Sequence, residues 1–326
     1  MNQTVRVDTV SARVREMGAM LPGELFAPVL LRGQDALDLI HRISTNDLRR
    51  CQPGIPVATV FTTEKGRIID RVEAVRLREE VWLLCHKPAA EKVKEWISRY
   101  IITEEVELPD VTHSFHVCSI VFHQASSSLL PAGGGSETGI VGTWNSTFGP
   151  FSIRRHLVTS GSLPALEASV REAGIAVLTV PEYHALRVLA GVPSYPEELN
   201  EGHNPLEAGL RADVSFTKGC YIGQEVIARL DSYEKVQRAL TVLTVRSGDD
   251  EIPEGAGIMI GEDMVGVVTS RGGTLGPGGD INVMGYVEKG VKDREGLLSV
   301  QTAAGPKPAR IHGSTGTAED AGSTPG

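Results

Sequence analysis

From Arg238 onward the chain changes texture, and that change limits what it can fold into. Short apolar-rich stretches, Leu240–Val245, Gly257–Ile260, Met264–Thr269, Ile281–Val287 and Leu297–Thr302, alternate with Gly, Pro and Asp. Segments this short do not supply bundle helices. Their even spacing predicts a small β-barrel or sandwich. The Gly-rich stretch Gly272–Gly279 lacks the Lys-Ser/Thr of a phosphate loop and reads as a barrel loop. His312–Gly326 has no large apolar side chain to anchor it and reads as a disordered tail.

Before Arg238 strands and helices are mixed. Leu25 to Gly33 reads as a strand and turn. Asp35 can cap a helix carrying Leu37, Leu39, Ile40 and Ile43, which ends at Ser44–Asp47. Val57–Phe61 and Ile68–Leu77 flank a hairpin turn at Glu64–Arg67, and Val81–Cys85 is a third strand. Pro88 opens a helix reaching about Arg99. A second unit starts near Ile101, with strands at Val106–Leu108, Phe115–Val121 and Phe151–Thr159. Ser126–Thr138 reads as a mobile Ser/Gly loop, Pro164–Ala173 and Pro181–Ala190 as helices, and Pro193–Pro205 as an irregular connection. Strands that do not alternate one by one with helices argue for an α+β fold and against a doubly wound sheet. The expected division is an N-terminal segment at 1–23, α+β modules at 24–100 and 101–237, a barrel at 238–311 and a tail at 312–326.

Composition narrows the function. A formal charge of −9 argues against non-specific nucleic-acid coating, which draws on clustered Lys and Arg. No apolar run is long enough to span a bilayer. The N-terminus lacks a continuous apolar core, and Val10, Val14 and Met17 suit an ordinary first helix better than a targeting peptide. Cys51, Cys85, Cys118 and Cys220 form no CxxC pair, which predicts a reducing, cytoplasmic setting. Cys85 and Cys118 lie in apolar strands and read as small buried hydrophobes. The histidines show no HxxxH or HExxH spacing, so no metal site is predicted.

The chemistry concentrates in Lys218-Gly219-Cys220-Tyr221-Ile222-Gly223-Gln224-Glu225, followed by a helix-like run to Leu230. If Gly223-Gln224-Glu225 begins that helix, Cys220 stands just ahead of its N-terminus with Lys218 nearby. Both features favour a thiolate; a turn-packing cysteine is the alternative. Asp70 sits between apolar strand residues, sharing a face with Ile68 and Val72. It points either to an enclosed pocket or, as an exposed edge residue, to Arg67 or Arg71. Arg187 and Arg229 could receive an anionic group or could line solvated helix faces.

With KGCYIGQE at 218–225 and Ala228-Arg229 after it, the chain resembles the folate-binding YgfZ group, relatives of the glycine-cleavage T-protein (aminomethyltransferase). Gly33–Ala36, Ser44–Asp47 and Lys65–Arg67 match in the N-terminal part. Leu186-Arg187, Ala190–Pro193 and Asn204–Glu207 match in the middle, and Val265–Ser270 in the barrel. The resemblance implies a T-protein-like arrangement, two ferredoxin-like or mixed sheet–helix modules around a central channel plus a C-terminal small β-barrel. It departs at Asp70-Arg71, where the T-protein pattern has two Asp, and at Leu189, where that pattern has Glu.

The resemblance also implies tetrahydrofolate binding, by Asn46, Asp70, Arg187, Tyr221, Gly223, Gln224, Glu225 and Arg229. Asp70 would meet the pterin or its N5/N10 region, and Arg187 or Arg229 the glutamate tail. Cys220, assisted by Lys218, would be a reactive or cluster-contacting thiolate. The implied role is upkeep of iron–sulfur enzymes, including tRNA-thiolating ones, by a cytoplasmic monomer whose partners are folate and iron–sulfur clients or assembly factors. A folate-dependent aminomethyl or one-carbon transferase, with Asp70 as its carboxylate, is the alternative. A partner-binding scaffold with a vestigial pocket is a third reading.

Overall fold

The computed structural model describes residues 5–129, 139–233, 235–248, 250–276, 278–291 and 296–314. The first module is a four-stranded antiparallel sheet ordered β2-β5-β4-β3, where β2 is Phe26–Leu31, β3 Val57–Thr62, β4 Ile68–Leu77 and β5 Glu80–His86. Two helices, α2 (Ala36–Ile43) and α3 (Ala90–Ser98), cover one face. Leu39, Ile40 and Ile43 pack there with Val93 and Ile97 on Leu31, Phe61, Val72 and Leu83. Each of these fully enclosed aliphatic side chains contributes about 2 kcal/mol. The other face carries Val75, Trp82 and Leu84, which meet Val117, Trp144 and Leu157 of the second sheet. Cover on both faces is why β4 and β5 read as nearly unbroken apolar runs.

The second sheet is ordered β7-β8-β6-β1-β9. Its long strands are β6 (Phe115–Phe122), β7 (Ile140–Phe148) and β8 (Phe151–Thr159). Its short ones are β1 (Ala19–Met20), antiparallel to β6, and β9 (Ala176–Val177), parallel to β1. The N-terminal segment is thus a working part of this sheet, with α1 (Val7–Glu16) tucked beside it on Val10 and Val14. Helices α4 (Leu163–Glu172) and α5 (Val180–Leu189) complete the module. Thr179 and Glu182 form a reciprocal capping box at the start of α5. The last helix, α6 (Gln224–Ser232), precedes the barrel.

The barrel closes in the order β10-β13-β12-β11-β14-β15. Its strands are β10 (Arg238–Arg246), β11 (Gly257–Ile260), β12 (Asp263–Leu275), β13 (Asp280–Glu288), β14 (Leu298–Thr302) and β15 (Gly305–Ser314). Closure removes free sheet edges. Its outer face reaches the rest of the molecule through Leu240, Val242, Met284 and Tyr286, which pack on Val60, Ile68, Val188 and Leu199.

The α+β fold with a terminal barrel is therefore as expected. Several details differ. Glu107 makes only an isolated bridge to Arg32, not a strand. Strand β7 was not foreseen, because Gly142, Asn145 and Ser146 break its apolar pattern. Gly272 and Gly273 belong to β12 and not to a loop. A methyl on either would come within 3.0–3.1 Å of Val188, Ala185 or Val7, so their bareness lets α1 and α5 lie on the barrel. His312 belongs to β15, where Thr244 and His312 share a hydrogen bond, so the expected tail cannot start there. Gln124–Leu129 forms a 3-10 turn, and 130–138 and 315–326 lie outside the described residues. Asp35 does not cap α2; its carboxylate accepts from Glu105 N at 2.9 Å.

Candidate functional site

The 218–225 motif wedges against the β3–β4 hairpin. Gly223 is the N-cap of α6, with φ +81°. A methyl there would lie 2.7 Å from Thr63 O and 3.0 Å from Gly66 Cα. Thr62 Oγ1 donates to Ile222 O at 2.8 Å and fixes the approach. Only glycine satisfies both the left-handed backbone and the contact. Tyr221 is buried with Leu206, Val214 and Ile227, and burial pushes its phenol up to about 12.

Lys218 does not serve Cys220. Its ammonium is buried and donates to Ser44 O and Asn46 O, both at 2.7 Å, and to His41 O. His41 O and Ser44 O end α2, where a cation meets the negative end of the helix dipole, and Asn46 O lies just beyond its C-cap. Burial draws the Lys218 pKa down to about 8. Cys220 is exposed, and its thiol makes no hydrogen bond among the described residues. It stands three positions before the N-cap of α6. Asn46 is held locally, donating to Ala58 O at 2.7 Å and accepting from Asp47 N at 2.9 Å. On α6, Gln224 is half-buried, while Glu225 and Arg229 are exposed.

Asp70 has no accessible surface. It neither opens to solvent nor pairs with the Arg67 or Arg71 side chain. Its carboxylate accepts from Arg71 N at 2.8 Å and His86 N at 3.0 Å, and it shares a 2.7 Å hydrogen bond with His86 Nδ1. A register shift between Phe61 and Thr62 breaks the strand alternation, so Ile68 packs toward the barrel while Val72 packs under the helices. Asp70 and Val72 stay in unbroken register with Phe61 and Thr59 and share a face as expected; Ile68 leaves it.

Arg187 is also committed. It is 1% exposed and donates to Glu198 Oε2 at 2.9 Å and Ser270 Oγ at 2.8 Å. Glu198 Oε1 in turn accepts from Thr269 and Ser270 at 2.7 and 2.6 Å. The group ties α5 to the barrel and leaves no guanidinium face for a ligand carboxylate.

A charged seam between the modules was not foreseen. Arg71 donates to Asp213 at 2.7 Å while keeping 26% of its side chain accessible. Glu73 accepts from Arg155 Nε at 3.0 Å and Trp144 Nε1 at 2.9 Å. Burial alone would raise the Glu73 carboxyl, but Arg155 and Arg71 overcome it and hold it below its usual range. The Arg155 guanidinium lies 4.5 Å from the Phe26 ring centre, and that ring is 5.4 Å from His86. Glu73 and Arg155 are far apart in sequence, so no local spacing announces the pair. Farther along the hairpin, Lys65, Arg67 and Lys235 line a cleft of about 350 Å³ together with Val226, Leu230 and Glu207, whose carboxylate lies 3.7 Å from Arg67. Among the described residues no group of three or more His, Cys, Asp or Glu is placed to hold a metal ion.

Comparison with known proteins gives these features a setting. Residues 6–128 match the GCVT N-terminal domain. The chain aligns at 94% coverage and TM-score 0.77 with the crystal structure of the glycine cleavage system aminomethyltransferase T from Bartonella henselae, covering 88% of that chain at 17% identity. The chain has a T-protein-like fold. An aminomethyltransferase from Symbiobacterium thermophilum is 26% identical over 309 residues, covering 84% of this chain and 79% of its own. A chloroplastic protein of Arabidopsis thaliana, named as a transferase, is 27% identical over 288 residues, or 81% of this chain. The chain spans 64% of that relative's length. These likenesses place it beside T-protein-like, aminomethyltransferase-type proteins. No described helix is long and apolar enough to cross a membrane.

Proposed function

We propose that this protein binds a reduced folate in the seam between its first two modules and supports iron–sulfur enzymes, including those that thiolate tRNA. The observation that carries the folate part is the T-protein-like fold together with a polar seam at the module junction. The residues fit a polar heterocycle. His86 Nε2 has no hydrogen-bond partner among the described residues. Tetrahydrofolate supplies the nitrogen pair that carries a one-carbon unit. Arg71 and His86 would face it, with Asp70 behind them. Lys65, Arg67 and Lys235, which line the cleft at the end of the same hairpin, would meet its carboxylates, and the exposed Arg229 of α6 would add a further cation.

The iron–sulfur part is supported by Cys220. It is the exposed cysteine, whereas Cys51, Cys85 and Cys118 are buried. A thiol presented on a signature loop suits contact with a client or assembly factor, in the manner the YgfZ group implies. In this reading the protein works as a cytoplasmic monomer. Calorimetry with tetrahydrofolate tests the binding, and iron–sulfur enzyme activity in cells carrying Cys220→Ser tests the thiol. Normal client activity in that strain would remove Cys220 from the function.

One-carbon transfer is the second reading, favoured by the aminomethyltransferase relatives. Turnover of tetrahydrofolate with an aminomethyl donor would establish it. Intact binding without turnover would leave the accessory role.

A further inference from the structure

The alternation of β5 puts Trp82, Leu84 and His86 on one side of the sheet, and Trp82 and Leu84 pack in the seam against the second module. His86 therefore closes the seam-facing row of β5. Behind it, Asp70 is fully enclosed, and its contacts are Arg71 N, His86 N and His86 Nδ1. A carboxylate only accepts, so Nδ1 carries the ring proton in the neutral imidazole. The Nε2 lone pair is then free. Nε2 makes no hydrogen bond among the described residues, yet it is absent from their sealed, unpartnered polar atoms, so it retains accessible surface. Here one nitrogen is fixed from behind and the other is left open.

We propose that His86 is a proton-transfer group and Asp70 its positioning residue, acting on a ligand that presents a nitrogen-bound proton to the seam. Nε2 accepts the proton as the ligand's N–H bond breaks, and the electron pair stays on the ligand nitrogen. The resulting imidazolium is held by Asp70, and the reverse step returns the proton. No oxidant or further reactant is needed. This rests on the reading of the seam as a ligand site, and it reassigns the direct contact from Asp70 to His86.

The test uses the full chain. Long-range ¹H–¹⁵N spectra report the tautomer of His86, assigned by its loss in His86→Gln. Diethyl pyrocarbonate labelling, mapped by mass spectrometry, reports the free nitrogen. The expected result is an Nδ1-protonated ring in wild type and labelling of His86 ahead of the enclosed His156. Asp70→Asn should slow labelling measurably, because a neutral amide no longer holds the proton on Nδ1 as a carboxylate does. Circular dichroism shows whether that variant stays folded; if it does not, the wild-type spectrum and labelling decide alone. An Nε2-protonated ring, or a His86 that resists labelling in the native protein, overturns the proposal. Tetrahydrofolate protection is the last arm. Binding that protects His86 supports it, and binding without protection overturns it. If calorimetry shows no folate binding, the folate reading falls; a labelled, Nδ1-protonated His86 then still supports the dyad.

Discussion

Gly66 and Gly223 stand back to back, so that a methyl added to Gly223 would lie 3.0 Å from Gly66 Cα. One belongs to the β3–β4 turn and the other caps α6. Two motifs separated by more than a hundred residues are thus one contact surface. Gly223→Ala places a side chain at φ +81° and 2.7 Å from a backbone oxygen. It should cost about 2–4 kcal/mol, summing left-handed strain and overpacking. Gly219→Ala, with nothing near its absent Cβ, should stay within about 0.5 kcal/mol. Urea denaturation of both variants checks this; equal stabilities would sink it.

Lys218→Met should destabilise the fold by about 3 kcal/mol, because it strips a cation from the buried carbonyls at and just beyond the end of α2. It should leave the rate of thiol modification at Cys220 unchanged. A marked drop in that rate, in protein that remains folded, would restore Lys218 as the activator of Cys220.

Thiol titration of the native protein should count Cys220 alone, since Cys51, Cys85 and Cys118 are buried. Burial also raises all three buried thiols, Cys118 to about 12. Denaturant should release the remaining three. Rapid native modification of any buried thiol would contradict the packing.

Arg187→Met should cost about 3–5 kcal/mol, the usual penalty for leaving a buried charge unpaired. Glu198 would be stranded with no accessible surface. If the variant melts like wild type, the Arg187–Glu198–Ser270 group is not the brace described above.

Burial lowers His156, His184 and His203 to about 4. The unfolded chain takes up their protons near pH 6.5, while the folded chain refuses them until near pH 4. Stability from these groups is therefore present above the unfolded pKa and is lost as pH falls from about 6.5 to about 4. By pH 5 the enclosed His156 should cost about 2 kcal/mol and the partly accessible His184 and His203 about 1 kcal/mol each. Denaturation midpoints at pH 7.5 and 5 measure it, and replacing the three with glutamine should flatten the difference.

Much of the fold was legible in the chain. Short apolar stretches evenly spaced between Gly, Pro and Asp located most barrel strands, and the apolar side of α2 was readable from Leu39, Ile40 and Ile43. Strand β7 escaped because its accessible positions carry small and polar residues. The site was less legible. Asp70 stood out as a carboxylate among apolar residues, but its partner His86 is sixteen residues away across the sheet. Nothing local marks that pairing.

By itself the sequence determined where most elements lie, that the last quarter or so forms short strands, and that polar and reactive residues gather at Lys218–Glu225. Backbone propensity and apolar period are local properties, so they can be read in order. Only the tertiary structure decided what the charged residues do. It spent Lys218 on the end of α2 and Arg187 on the barrel, enclosed Asp70 behind His86, and left Cys220 in solvent. The reason is desolvation: a buried charge must find partners, and those partners come from whichever distant segment the fold brings within hydrogen-bond reach.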